Sequence, residues 1–190
     1  MLWVKTFFGI LFQTILLGIF LYLPALTLNW SDAFLLLTIH FLMTILASAY
    51  LLVVKPESIE ARMNYDSKTQ PKEDRLATAL MFSAIFVGLS LAPIDIFHLN
   101  LSSSFEGSIK NIGLAIYIIG MLLFMASLNA NEFAETTVNI QEERGQKVID
   151  TGIYSMVRHP MYTGFIFFIT GANIWFCLLY TSDAADDPTC

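Results

Sequence analysis

The sequence predicts an all-α membrane protein of about five transmembrane helices, with a short cytosolic β-hairpin-like segment before the last helix. Three observations carry that class. Hydrophobic residues make up 56% of the chain and charged residues only 14%, and the mean hydropathy is +0.64, outside the usual composition of a soluble domain. The charge-free stretches 6–31, 33–54, 76–94, 111–131 and 160–182 each reach the roughly 18–20 residues that cross a bilayer as a helix, the conformation that satisfies a backbone in lipid. The third observation is the placing of the basic residues. With five crossings, Lys5, Lys55, Arg62, Lys68, Lys72, Arg75, Arg144, Lys147 and Arg158 fall on one side and only Lys110 on the other. The positive-inside rule then puts the N-terminus and both long loops in the cytosol. A formal net charge of −6 argues against a nucleic-acid partner.

The first apolar run outlasts the h-region of a signal peptide and lacks a small-x-small cleavage site, so a retained helix is expected over about 4–28. Trp3 and Trp30 stand where aromatic residues anchor at the two interfaces. Pro24 is expected to kink the outer end. The link 29–32 is so short that the first two helices must be antiparallel neighbours, with Ser31 or Asp32 as the cap of the second. His40 lies inside that second helix. An intramembrane ionisable residue can be functional, and a neutral imidazole bonded to a neighbouring helix is the plainer reading.

The segment 55–75 reads as a solvated connector with a partly helical start. Asp95 and His98 follow Pro93 at the outer end of the third apolar run, and no third ligand stands nearby for a metal. The fourth helix, about 109–130, carries Gly113 and Gly120 on one face, and the fifth carries Gly164 and Gly171 at the same spacing. Small residues so placed let helix backbones approach closely in lipid. Between these helices, 137–141 alternates polar and apolar residues, 142–145 suits a turn and 147–150 is β-compatible, which predicts the hairpin.

Hydrogen-bonding chemistry concentrates in 152–164. Pro160 fits the first position of a helix, so His159 stands at or next to the N-cap, in the extended conformation that precedes proline. Arg158 and His159 then flank a positive helix end with free N–H groups, a place suited to an anion. Tyr162 lies in the first turn and Gly164 leaves space one turn above Pro160. The bland alternative is an arginine snorkelling to the interface beside aromatic residues.

These residues, Gly152-x-Tyr154-x-x-Val157-Arg158-His159-Pro160-x-Tyr162-x-Gly164, resemble the signature of the isoprenylcysteine carboxyl methyltransferase family and the related phospholipid N-methyltransferases. Asn131-x-Phe133 and Ile140-Gln141-x-x-Arg144-Gly145 resemble the segment leading into it in bacterial members. The resemblance implies an integral membrane enzyme, in a bacterial inner membrane with its site facing the cytosol, that moves a methyl group from S-adenosylmethionine to a lipophilic acceptor in the bilayer. It implies Arg158 and His159 as catalytic residues, and Tyr154, Arg158, His159, Pro160, Tyr162 and Gly164 around the cofactor, with no metal. Ile153 stands where members usually have Pro, and Gln146 where many have His. Two other classes compete: a sterol-type reductase using NADPH, which shares an Arg-His-Pro-x-Tyr element, and a non-catalytic membrane scaffold.

Residues 177–187 resemble the translation of a sequencing-library adapter. The expectation is one domain over 1–176 and a non-native tail over 177–190. Cys177 and Cys190, the only cysteines, lie in that tail, so thiol chemistry drops out. The family completes its cofactor site with a downstream glutamate and a Gly-x-x-Tyr pattern that 177–190 lacks, so the chain as it stands is expected to be an inactive fragment.

Overall fold

The computed structural model describes residues 1–63, 72–101, 107–131 and 150–176. Every regular element among these residues is helical: α1 (Leu2–Ala25), α2 (Ser31–Val54), α3 (Pro56–Met63), α4 (Lys72–Ile94), α5 (Gly107–Ala130), α6 (Ile153–Met156) and α7 (Pro160–Trp175), with a π turn at Asp95–Leu99 continuing α4. The expected hairpin and the expected tail lie outside the described residues.

Three helices, Leu2–Ala25, Ser31–Val54 and Ser108–Ala130, are long and apolar enough to cross a membrane. Their outward faces, with Phe8, Phe12, Leu46, Val53, Ile112 and Leu122 exposed, are apolar, as an integral membrane protein requires when lipid is the solvent. α7 has 16 residues, about 24 Å at 1.5 Å per residue, short of a hydrocarbon core of about 30 Å.

The ends of α1 and α2 depart from the sequence expectations. Trp30 is not an interfacial anchor. It is buried against Phe97 and Phe176, with ring centroids 5.3 and 4.8 Å away, because the tight link turns its ring into the bundle. Neither Ser31 nor Asp32 caps α2. The N-cap is Trp30 with an extended backbone (φ −137°) and no side-chain cap, and Asp32 instead pairs with Lys110 of α5 at 2.5 Å. Trp175 completes this end, donating Nε1–H to the Asp32 carbonyl at 3.0 Å while Lys110 lies 5.2 Å over its ring.

Pro24 sits inside the last turn of α1. Having no N–H, it leaves the Phe20 carbonyl without its helical donor, and Ser90 Oγ of α4 donates to that oxygen at 3.2 Å. Past Pro93, the Asp95 carboxylate accepts the Leu101 N–H at 2.8 Å, and His98 Nε2 donates to the Pro24 carbonyl at 2.7 Å. Asp95 and His98 thus tie the turn after α4 to itself and to the end of α1.

The contact that positions the site is between α5 and α7, and here the expected glycine packing is realised. A Cβ on Gly113 would fall 2.6 Å from the Trp175 nitrogen, and one on Gly164 would fall 2.8 Å from the Phe124 nitrogen and 2.9 Å from the Gly120 oxygen. Gly120 and Gly171 face the Phe168 and Tyr117 backbones in the same way. The two backbones meet with nothing but hydrogen between them. Around this seam the core gathers Leu21, Leu36, Tyr117, Met121, Ala172 and Trp175. His40 bridges helices as the plainer reading expected, its Nδ1 lying 2.9 Å from the Tyr117 hydroxyl and its Nε2 3.5 Å from Gln13.

Candidate active site

At the end of the bundle opposite Trp30, α7 begins as proline chemistry dictates. Pro160 is buried at the first helical position and His159 is the N-cap residue, but its backbone, at φ −130° and ψ 64°, falls short of the extended conformation expected before proline. The His159 carbonyl accepts both the Thr163 N–H at 3.0 Å and the Thr163 hydroxyl at 3.1 Å. With no side-chain cap at this end, the N–H groups of Met161 and Tyr162 keep no intrahelical partner and point toward the mouth.

Arg158 and His159 are exposed beside them. Among the described residues Arg158 has no ion-pair or hydrogen-bond partner, so its five donors are available. The His159 and Tyr162 rings lie 5.9 Å apart, tilted by 44°, and Tyr162 is half exposed. Behind them, Gly152 holds φ +60°, a left-handed conformation that glycine adopts without penalty. This turn starts the four-residue α6, in which Tyr154 is half buried and its hydroxyl accepts from Asn131 Nδ2 at 3.5 Å.

Tyr154, Arg158, His159 and Tyr162 thus follow one another around the start of α7, with a ring contact between His159 and Tyr162. Pro160 and Gly164 lie differently: both are buried, and Gly164 meets the α5 backbone, so its link to the mouth runs through the helix it allows to approach. No group of three His, Cys, Asp or Glu is gathered among the described residues.

Two residues that the sequence reading left in a solvated connector belong to this end. Lys55 follows α2 directly and Arg62 lies on α3, and both donate to carbonyls at the end of α5. The sequence carried no signal for this, since the carbonyls they satisfy belong to a helix more than 60 residues away along the chain.

The mouth is a place for an anion and a flat or cationic group together. Unpaired N–H groups and a guanidinium suit a carboxylate, and exposed aromatic faces suit a ring or a positive centre.

Residues 109–180 match the phospholipid methyltransferase family. The chain is 31% identical over 70 residues to protein-S-isoprenylcysteine O-methyltransferase B of Arabidopsis thaliana, covering 36% of each chain. It is 29% identical over 108 residues to a probable protein-S-isoprenylcysteine O-methyltransferase of Oryza sativa subsp. indica, covering 53% of this chain and 56% of that one. The chain thus spans between about a third and just over half of the length of these curated relatives. No solved structure matches. Together with the 152–164 motif, these matches support the chain's place in the isoprenylcysteine carboxyl methyltransferase family.

Proposed function

We propose that this protein is an integral-membrane methyltransferase that uses S-adenosylmethionine and methylates a lipophilic acceptor, an isoprenylcysteine carboxylate or a lipid-like group, at the cytosolic face of a bacterial inner membrane. The observation that carries this reading is the exposed Arg158, without a partner among the described residues, beside the open N-terminus of α7, within the segment that matches the family. On this reading α4 and α7 also cross the bilayer. The five long helices alternate in direction, since Lys110 at the start of α5 and Trp175 at the end of α7 meet Asp32, while Lys55 reaches the far end of α5. The working domain is 1–176, with 177–190 an adapter-derived tail, and the chain carrying that tail does not turn over. Resequencing the gene end checks this.

The mouth fits the cofactor. Its carboxylate suits Arg158 and the Met161 and Tyr162 N–H groups, and its sulfonium and adenine suit the His159, Tyr154 and Tyr162 rings. When bound, S-adenosylmethionine supplies a methyl already activated on sulfur, so the protein need not form a covalent intermediate. The chain's own task is alignment and drying. Arg158 anchors one carboxylate, of cofactor or acceptor, and so sets the line of attack. Pro160 and Gly164 hold α7 against α5 so that the anchor does not drift, and the aromatic rings exclude water from the reacting groups.

The test is calorimetric titration of the protein, expressed from its complete gene in detergent, with S-adenosylmethionine and separately with NADPH. Saturable binding of the first, lost in Arg158→Ala, is expected. Binding of NADPH alone would favour the reductase, and no heat with either would leave a scaffold.

A further inference from the structure

The end of α5 beside α6 is held by residues from the other half of the chain. The final carbonyls of an α-helix have no intrahelical donors, and at the end of α5 they are taken by two cations. Lys55 Nζ donates to the Asn129 carbonyl at 2.7 Å, and Arg62 Nη2 donates to the carbonyls of Leu128 at 2.9 Å and Asn131 at 3.3 Å. Cations suit this negative end of the helix, and each partner lies more than 60 residues away along the chain.

The clamp continues into the candidate site. Asn131 is fixed on one side by its N–H to the Ser127 carbonyl at 2.9 Å and by Arg62 on its own carbonyl. On the other side its Nδ2 reaches the Tyr154 hydroxyl at 3.5 Å, near the limit of a hydrogen bond. Tyr154 stands four residues before Arg158. A direct line of contacts therefore runs from α3 through the end of α5 to α6.

We propose that Arg62, with Lys55, is a positioning residue for the site: it holds the end of α5 so that Asn131 seats Tyr154, and through α6 it sets where Arg158 and His159 stand. The proposal rests on the reading of this mouth as the cofactor site. It gives the α2–α3 elbow a function that a loop lying in solvent would not have. A long bond to Tyr154 is the weakest joint in the line, so loss of the clamp is felt there first.

The experiment uses the protein from its complete gene in lipid nanodiscs, as wild type, Arg62→Ala, Arg62→Lys and Asn131→Leu. Amide hydrogen exchange of peptides covering 150–162 and the dissociation constant for S-adenosylmethionine are measured beside the thermal midpoint. In Arg62→Ala, exchange over 150–162 is expected to rise at least about 10-fold and cofactor binding to weaken by a similar factor, with the midpoint within a few degrees of wild type. Arg62→Lys recovers part of both, because an ammonium still reaches one carbonyl. Asn131→Leu reproduces the exchange effect with both cations in place, which keeps the proposal testable if Arg62→Ala fails to fold. Unchanged exchange in Arg62→Ala and Asn131→Leu overturns the clamp, as does a loss spread evenly over all helices. If wild type binds no S-adenosylmethionine, the cofactor reading fails, and exchange over 150–162 alone decides the clamp.

Discussion

Gly113→Ala isolates the backbone contact on which the candidate site depends. The new Cβ would lie 2.6 Å from the Trp175 nitrogen and 2.9 Å from the Ile174 carbonyl carbon, where ordinary contact begins at 3.4 Å. The shortfall at the nitrogen, 3.4 − 2.6, is 0.8 Å, and a backbone atom cannot swing aside as a side-chain tip can. α5 and α7 must separate, at an overpacking cost of about 1–3 kcal/mol. Alanine also gains about 1 kcal/mol of helix propensity over glycine, so the comparison needs a control that gains only that. Gly9→Ala provides it, since nothing lies within 4 Å of its Cβ. At about 2–4 °C per kcal/mol for a chain of this size, Gly113→Ala should melt roughly 2–12 °C below Gly9→Ala in a detergent thermal-unfolding assay. Equal melting temperatures for the two variants would refute the seam. Because the Gly171 Cβ would meet the Gly113 oxygen at 2.7 Å, Gly113→Ala with Gly171→Ala should cost less than the sum of the singles: helices once parted need not part again.

Arg158→Ala, which removes a charge-assisted anchor worth about 1.5–3 kcal/mol, should weaken S-adenosylmethionine binding by roughly 10- to 100-fold in calorimetry while leaving the melting temperature near wild type; unchanged binding counts against the anchor. Tyr117→Phe takes away the 2.9 Å partner of His40 and should lower stability by about 0.5–2 kcal/mol, read as an earlier thermal transition, with a wild-type transition the contrary result. Ser90→Ala should cost about 1–3 kcal/mol, because it strands the Phe20 carbonyl that Pro24 leaves free. In a Pro24→Ala background the same change should be nearly neutral, since the restored N–H returns to that oxygen, and equal costs in both backgrounds would sink the account.

What could be read from the sequence was what depends on neighbours along the chain. Charge-free runs marked the long helices, Pro160 placed the start of α7 and His159 as its N-cap though not the His159 backbone conformation, and the glycine spacing on α5 and α7 announced their contact. Partners far apart in sequence were not legible. Asp32 sits in the first turn of α2 and looks like a capping residue; Lys110, 78 residues on, claims its carboxylate. Trp30 has the position of an interfacial anchor, yet the aromatic partners that bury it come from the turn after α4 and from the residue after α7. Lys55 and Arg62 looked solvated because the carbonyls they satisfy belong to α5. At the candidate site, the motif marked the start of α7, whereas the clamp on the end of α5 depends on how α3 folds back.

The glycine seam also bears on how this protein can vary. Residues that face lipid can exchange one apolar side chain for another without moving a helix. At Gly113, Gly120, Gly164 and Gly171 the smallest possible addition displaces a backbone, so these positions should stand almost empty in a saturation library selected for folding. Such a library would trace the line along which the mouth is held, with no ligand needed to reveal it.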